Sequence, residues 1–145
     1  MRYRFEQAAE SDMEDFFFRF GDLALFLLRV MVALIFAASG WKDVSDSESR
    51  SKSVGMSKGF TIFLGLAEIA GALSLVTGIL YSWAAIGLIL IMLGAIFMKA
   101  VVWKKGFWGE GGQGWHYDLM LLVMNLVILT VGAGDFAIRW PHWSR

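Results

Sequence analysis

An all-α integral membrane protein, an antiparallel bundle of four helices with an N-terminal interfacial helix, is the fold that the sequence predicts. The 145-residue chain is 57% hydrophobic and only 18% charged, whereas soluble domains carry about 25% charged residues. Glu68 is the only charged residue between Phe60 and Met98. Apolar runs of about 18 or more residues indicate membrane spans. In lipid such runs must be helical, because an open strand would leave its backbone polar groups unsatisfied.

Four apolar segments account for the bundle, and we expect them near residues 23–39, 60–80, 83–103 and 117–131. Residues 40–59 are serine-rich and charged, which predicts a solvated loop. A tight turn at Tyr81 and Ser82 makes the second and third spans antiparallel neighbours. Residues 104–116 contain five glycines, and we expect this loop to fold onto the bundle. The two long loops then share one side, here the long-loop face, and both termini lie on the other, the terminal face.

The termini differ in composition from the membrane domain, which we place at residues 23–138. Nine charged residues between Met1 and Asp22 exclude a secretory signal, which needs an early apolar core. Residues 12–20 are acidic and then aromatic, a pattern typical of a helix lying in the membrane interface. Residues 1–22 are therefore predicted to form a charged, amphipathic arm, and residues 139–145 a short tail.

Charge and cysteine content exclude several classes of function. The 13 Lys and Arg residues balance 13 Asp and Glu residues, without a basic block, so nucleic acid is not an expected partner. The chain has no cysteine, which excludes disulfides, thiolate ligands and covalently attached haem. His116 and His142 fall on opposite membrane faces, so we expect no metal site and no covalently bound cofactor.

Three polar residues of three different spans are predicted to lie deep in the membrane. Arg29 is roughly 16 Å from Gly40 along its helix, Glu68 roughly 12 Å from Phe60, and Asn125 roughly 13 Å from His116. Charged groups in a span usually face the bundle and pair. An Arg29–Glu68 ion pair assisted by Asn125 is therefore expected, either as a lock between helices or as the centre of a polar pocket.

A second group of candidate residues is expected above this pocket, at the long-loop face. It consists of Lys99, Trp108, Trp115, His116 and Asp118. The glycine-rich loop can fold inward, and histidine is suited to proton exchange near neutral pH. The group is predicted either to close over the pocket as an aromatic ligand site or to form an ordinary belt of interfacial aromatic residues.

Several short motifs resemble those of the DoxX family of membrane proteins. The first span and its exit, LLRVMVALIFAASGWKDV, are similar to the family's opening helix, with its internal arginine and Gly-x-Lys, matched by Arg29, Gly40 and Lys42. The second span resembles the family's Ala-Glu-x-x-Gly-Gly helix, with Ala72 in place of the second glycine. The end of the chain, GWHYDLMLLVMNLVILTVGAGDFAI, is similar to the closing helix, with His116 where a glutamate is common.

This resemblance implies a four-helix membrane protein and, for function, a membrane subunit of an oxidoreductase complex. Similar proteins are subunits of thiosulfate:quinone oxidoreductase or of complexes that handle oxidative stress. The expected partners are the lipid bilayer and other protein subunits, the candidate ligand is a quinone, and the expected location is the cytoplasmic membrane of a bacterium or archaeon. Two alternatives are a non-catalytic anchor or assembly subunit and a small solute carrier.

Overall fold

The computed structural model describes residues 2–109 and 114–138 of the chain, with side chains from Phe20 onward. In this part of the chain all the regular elements are helical. Five α-helices follow one another: α1 (Arg2–Ser45), α2 (Ser47–Val54), α3 (Lys58–Thr77), α4 (Tyr81–Phe97) and α5 (His116–Val131). A π-helical turn, Met98–Val102, extends α4. The predicted tail at residues 139–145, with His142, lies outside the described residues.

Three of these helices are long and apolar enough to cross a membrane, at Phe20–Ser45, Lys58–Thr77 and Tyr81–Val102, and α5 is a shorter apolar helix. Large apolar side chains point outward along them: Leu34 is 60% exposed, Leu73 63% and Leu90 62%. Exposed apolar side chains in this number are favourable only in lipid. The predicted all-α membrane bundle is therefore confirmed, and the fourth predicted span, α5, is the shortest of its four apolar helices.

The first long loop differs from the prediction, because most of residues 40–59 is helical. Helix α1 does not end near Ser39 but continues to Ser45, and α2 follows after Asp46. Gly55 ends α2 with a φ of 70°, a conformation that glycine adopts without steric cost. The predicted N-terminal helix is present, and it continues without interruption into the first span as part of α1.

Helices α1 and α3 cross closely at two glycines. A Cβ atom added to Gly65 would lie 2.7 Å from the carbonyl oxygen of Gly40 and 2.9 Å from the Cβ of Asp43. Small residues allow such close approach of helices in membranes. Backbone and side-chain atoms of α1 therefore fill the space that the missing side chain of Gly65 leaves on this face of α3.

The helices are arranged in a ring in which α1 packs on α3, α3 on α4, α4 on α5, and α5 on α1. The centre of the ring is an apolar core with Phe36 of α1, Leu75 of α3, Leu88 of α4 and Ile128 of α5, each at most 1% exposed. The turn between α3 and α4 lies earlier than predicted, at residues 78–80, where Gly78 has a φ of 76° and Leu80 a φ of 53°. Tyr81 and Ser82 belong to α4.

Adding one methyl group at the α1–α3 crossing is expected to destabilise the bundle. The Gly65→Ala variant should lose about 1–3 kcal/mol of unfolding free energy, the usual cost of overpacking, because the neighbouring atom is a backbone oxygen. Gly94→Ala is the matched control, since no atom lies within 4 Å of its added Cβ. Unfolding in mixed micelles of increasing SDS fraction measures both. Equal stability of the two variants would contradict the close crossing.

Candidate functional site

Arg29 lies in the interior at the terminal face, where it binds the carboxyl ends of two helices. Its guanidinium donates to the carbonyl of Ala133, just after α5, and to that of Val76 in the last turn of α3, at 3.5 Å. The side chain is fully buried and its guanidinium lies 5.7 Å from the centre of the Phe26 ring. A cation at a helix carboxyl end is stabilised by the helix dipole and by unpaired carbonyls. Arg29 therefore joins α1, α3 and the segment after α5.

The expected Arg29–Glu68 pair is not formed in the described structure. Arg29 is level with Val76, and Glu68 precedes Val76 by eight residues on α3, roughly 12 Å at the helical rise. The pair was predicted because the depths of Arg29 and Glu68 were counted from Gly40 and Phe60, and both of these residues were assumed to lie at the membrane surface. Because α1 continues to Ser45, Gly40 lies beside Gly65, inside the bundle. Arg29 is therefore roughly 12 Å further from the long-loop face than Glu68 is.

Glu68 is buried on the side of α3 that faces α1. Its carboxylate has the Ser39 hydroxyl as a hydrogen-bond partner, and its Oε2 atom has no partner among the described residues. Only 5% of the residue is exposed. Burying a carboxylate oxygen without a hydrogen-bond donor costs free energy. A bound proton or another positively charged species would lower this cost.

Asp43 and Arg50 form an ion pair that the sequence analysis missed. Arg50 Nε lies 2.6 Å from Asp43 Oδ1, and Asp43 is 8% exposed. Asp43 lies one helical turn beyond Ser39 on α1, towards the long-loop face. The pair attaches α2 to the bundle above Glu68. The detectable signal was the four-residue spacing of Ser39 and Asp43, which places both on one helix face. It was missed because the predicted span ended at Ser39 and Asp43 was assigned to the loop.

Lys99 and Asp118 form a second ion pair at the same face, between α4 and α5. Lys99 Nζ lies 2.7 Å from Asp118 Oδ2, and the two side chains are 23% and 8% exposed. Lys99 continues the buried stripe of α4 that includes Ala85, Leu88 and Met92. Asp118 occupies the first turn of α5, where the helix dipole favours a carboxylate. The structure thus brings together two of the predicted site residues.

Asn125 lies in the middle of the bundle, at the depth of Glu68. Its Nδ2 donates to the Leu121 carbonyl at 2.9 Å, and its Oδ1 has no partner among the described residues. Arg29 binds the carbonyls of Val76 and Ala133, which therefore lie at one depth. Glu68 is eight residues before Val76, and Asn125 is eight residues before Ala133, so these two side chains also lie at similar depths. Two unpartnered oxygens therefore lie at one level on helices that are diagonal in the ring.

The aromatic residues of the second long loop form a cluster with His116. Ring centroids lie 4.7 Å apart for Phe107 and Trp115 and 5.1 Å apart for Trp108 and His116. The imidazole Nδ1 is 2.9 Å from the Phe107 carbonyl oxygen. The loop closes on itself, because the backbone N–H of Gly114 donates to Trp108 and that of His116 to Phe107, both at 3.1 Å. Trp108 remains 71% exposed.

These residues do not form one pocket as predicted. The predicted polar groups and their partners fall into a cluster of α1, α2 and α3 around Glu68, a cluster of α4 and α5 around Lys99, Asn125 at mid-bundle, and Arg29 at the terminal face. Core residues between the levels of Glu68 and Arg29, among them Val32 and Leu75, are fully buried. Polar side chains thus reach from the long-loop face to mid-bundle and stop at an apolar layer.

A groove of about 540 Å³ between α3 and α4 opens on the lipid-facing surface. Among its lining residues only Ser74 and Trp83 carry polar side-chain atoms. Such a groove suits apolar chains but offers few groups to orient a polar head. The two partly buried ion pairs of the described bundle, Asp43–Arg50 and Lys99–Asp118, lie at the long-loop face instead.

One comparison with known proteins gave a match. A family model described as DoxX matches residues 24–100, more than half of the chain and including all of α2, α3 and α4. The closing helix, for which the sequence also resembles the family, lies beyond the matched residues. No curated protein matches the chain, and no solved structure matches it.

Proposed function

The chain belongs to the DoxX family of membrane proteins, and from this premise we propose that it is the quinone-facing membrane subunit of an oxidoreductase complex. The observation that carries the proposal is the Lys99–Asp118 ion pair, held at the long-loop face next to the loop that bears the Phe107, Trp108 and His116 cluster. A partner subunit with a redox centre supplies the electrons.

The chemistry of a quinone headgroup fits these residues. Each carbonyl of the ring accepts a hydrogen bond, and the flat ring packs on aromatic side chains. Lys99 supplies ammonium donors, and Trp108 supplies an exposed indole. Because the Phe107 carbonyl oxygen can only accept, Nδ1 of His116 carries the hydrogen of that bond. The Nε2 atom therefore donates to a quinone carbonyl in the imidazolium form and accepts from a quinol hydroxyl in the neutral form. Reduction of a quinone takes up two electrons and two protons, and the long-loop face offers the polar groups that a proton route requires.

Labelling with an azidoquinone tests the proposal. The full-length protein in nanodiscs is irradiated with the probe, and crosslinked peptides are identified by mass spectrometry. We expect crosslinks within residues 107–118. The His116→Ala variant should bind the probe roughly two- to tenfold more weakly, which corresponds to the ~0.5–1.5 kcal/mol of one hydrogen bond.

Trp83→Ala is the matched control, because Trp83 is an equally exposed tryptophan (74%) at the opposite end of α4. It should leave the crosslinks at residues 107–118 unchanged. Crosslinks confined to the groove between α3 and α4, and unaffected by His116→Ala, would contradict a headgroup site at the long-loop face. Such a result would favour the alternative of a non-catalytic anchor subunit.

A further inference from the structure

We propose that Glu68 is a proton-binding site inside the bundle, and that the proton reaches it from the long-loop face along polar side chains of α1 and α2. The site is distinct from the Lys99–Asp118 pair. It rests on the buried position of Glu68, its unpartnered Oε2 atom and the line of polar groups that leads to it.

The route begins at α2, whose buried side is polar. Ser47 and Ser51 are buried in this helix, at a four-residue spacing that places them on one face, and Arg50 of the same helix reaches Asp43. Below Asp43, the Ser39 hydroxyl contacts the Glu68 carboxylate. A hydroxyl can pass a proton because it both donates and accepts, and a carboxyl group can because it accepts when ionised and donates when protonated.

The charges around Glu68 favour one additional positive charge. Asp43 and Arg50 both act electrostatically on Glu68, and their own charges cancel. From α4 and α5, Lys99 and Asp118 likewise cancel in their ion pair. Arg29 lies roughly 12 Å deeper and is bound to two carbonyls. Glu68 is thus the one carboxylate of this interior without a cationic partner within the described chain, and a proton neutralises it.

The inference deepens the proposed function and rests on it only for the use of the proton, because quinone reduction consumes protons at the same face. The binding of the proton itself requires no quinone. It is therefore measured without one, so that loss of the quinone site and loss of the proton site are separate results.

Dicyclohexylcarbodiimide, an apolar reagent that adds to protonated carboxyl groups, is the probe. The carboxyl proton moves to a carbodiimide nitrogen while the carboxylate oxygen adds to the central carbon, and the acyl group then shifts to nitrogen. The full chain in nanodiscs is treated over a range of pH and mapped by mass spectrometry. We expect modification at Glu68 that falls as pH rises.

Two variants give opposite shifts that a purely structural carboxylate would not show. Asp43→Asn removes a negative charge and should move the labelling midpoint down by about one pH unit, whereas Arg50→Gln removes a positive charge and should move it up. Glu48→Gln is the control, because Glu48 is an exposed acid of α2 paired with Lys52. Absence of Glu68 labelling at every pH in folded protein, or a midpoint that neither variant moves, would overturn the proposal. Protection of Glu68 by sodium at fixed pH would overturn it in favour of a metal cation.

Discussion

Replacing Lys99 with methionine is expected to cost the protein about 3–5 kcal/mol of unfolding free energy, the usual result of removing one partner of a buried ion pair. Asp118 is 6% exposed, and without Lys99 its carboxylate stays buried between α4 and α5 with no counter-charge. Unfolding in mixed micelles of increasing SDS fraction measures the loss. The Lys99→Met chain should also lose azidoquinone crosslinks, because the ammonium donor is gone.

A double variant separates the contribution of the ion pair to stability from the contribution of the packing of the two side chains. Lys99→Met combined with Asp118→Asn removes both charges, so it should regain part of the stability lost by Lys99→Met. Lys52→Met is the matched control, because Lys52 forms an exposed pair with Glu48, and exposed pairs contribute about 0–1 kcal/mol. A Lys99→Met variant as stable as Lys52→Met would show that the pair is solvated, contrary to the structure.

The sequence predicted the membrane helices well because one strong force determines them. Long runs without charge, such as residues 60–98 with Glu68 alone, can be satisfied in lipid only as helices. Helix ends were predicted less well. Residues 40–59 contain many serines, which have low helix propensity, and their charges indicate water. Tertiary contacts nevertheless hold them as the end of α1 and as α2, since Ser47 and Ser51 face the bundle and Arg50 binds Asp43.

The burial of three predicted polar residues followed from the sequence, but the way in which they are arranged did not. Arg29, Glu68 and Asn125 are all buried in the interior, as intramembrane polar residues are expected to be. Which of them meet depends on helix register, and register is decided by the glycine contact of Gly40 with Gly65. In the sequence, these are only two of several small residues on different helices, and nothing in it indicates that these two meet. An offset of a few residues in the assumed helix end was sufficient to predict a pair where the structure has two separate sites.

Arg29 and Glu68 are therefore expected to contribute independently, and a double-mutant cycle tests this. Arg29→Met leaves the carbonyls of Val76 and Ala133 without their donor, and each buried carbonyl that loses its partner costs about 1–3 kcal/mol. Glu68→Gln keeps the shape of the side chain and should change stability far less. Because Arg29 binds the Val76 carbonyl, which lies roughly 12 Å along α3 from Glu68, the effects should add to within about 0.5 kcal/mol.

The Lys99–Asp118 cycle, measured in the same micelles, is the positive control for coupling. Its two residues are in contact, so its single effects should not add. Recovery of stability in the Arg29→Met, Glu68→Gln double variant would mean that the two side chains meet in the folded bundle, which the register of α1 and α3 excludes. Additive loss would instead place Arg29 where the structure has it, as the cation that holds the carboxyl end of α3 and the segment after α5 at the terminal face. Glu68 would then be free to exchange its proton with the opposite side without disturbing that junction.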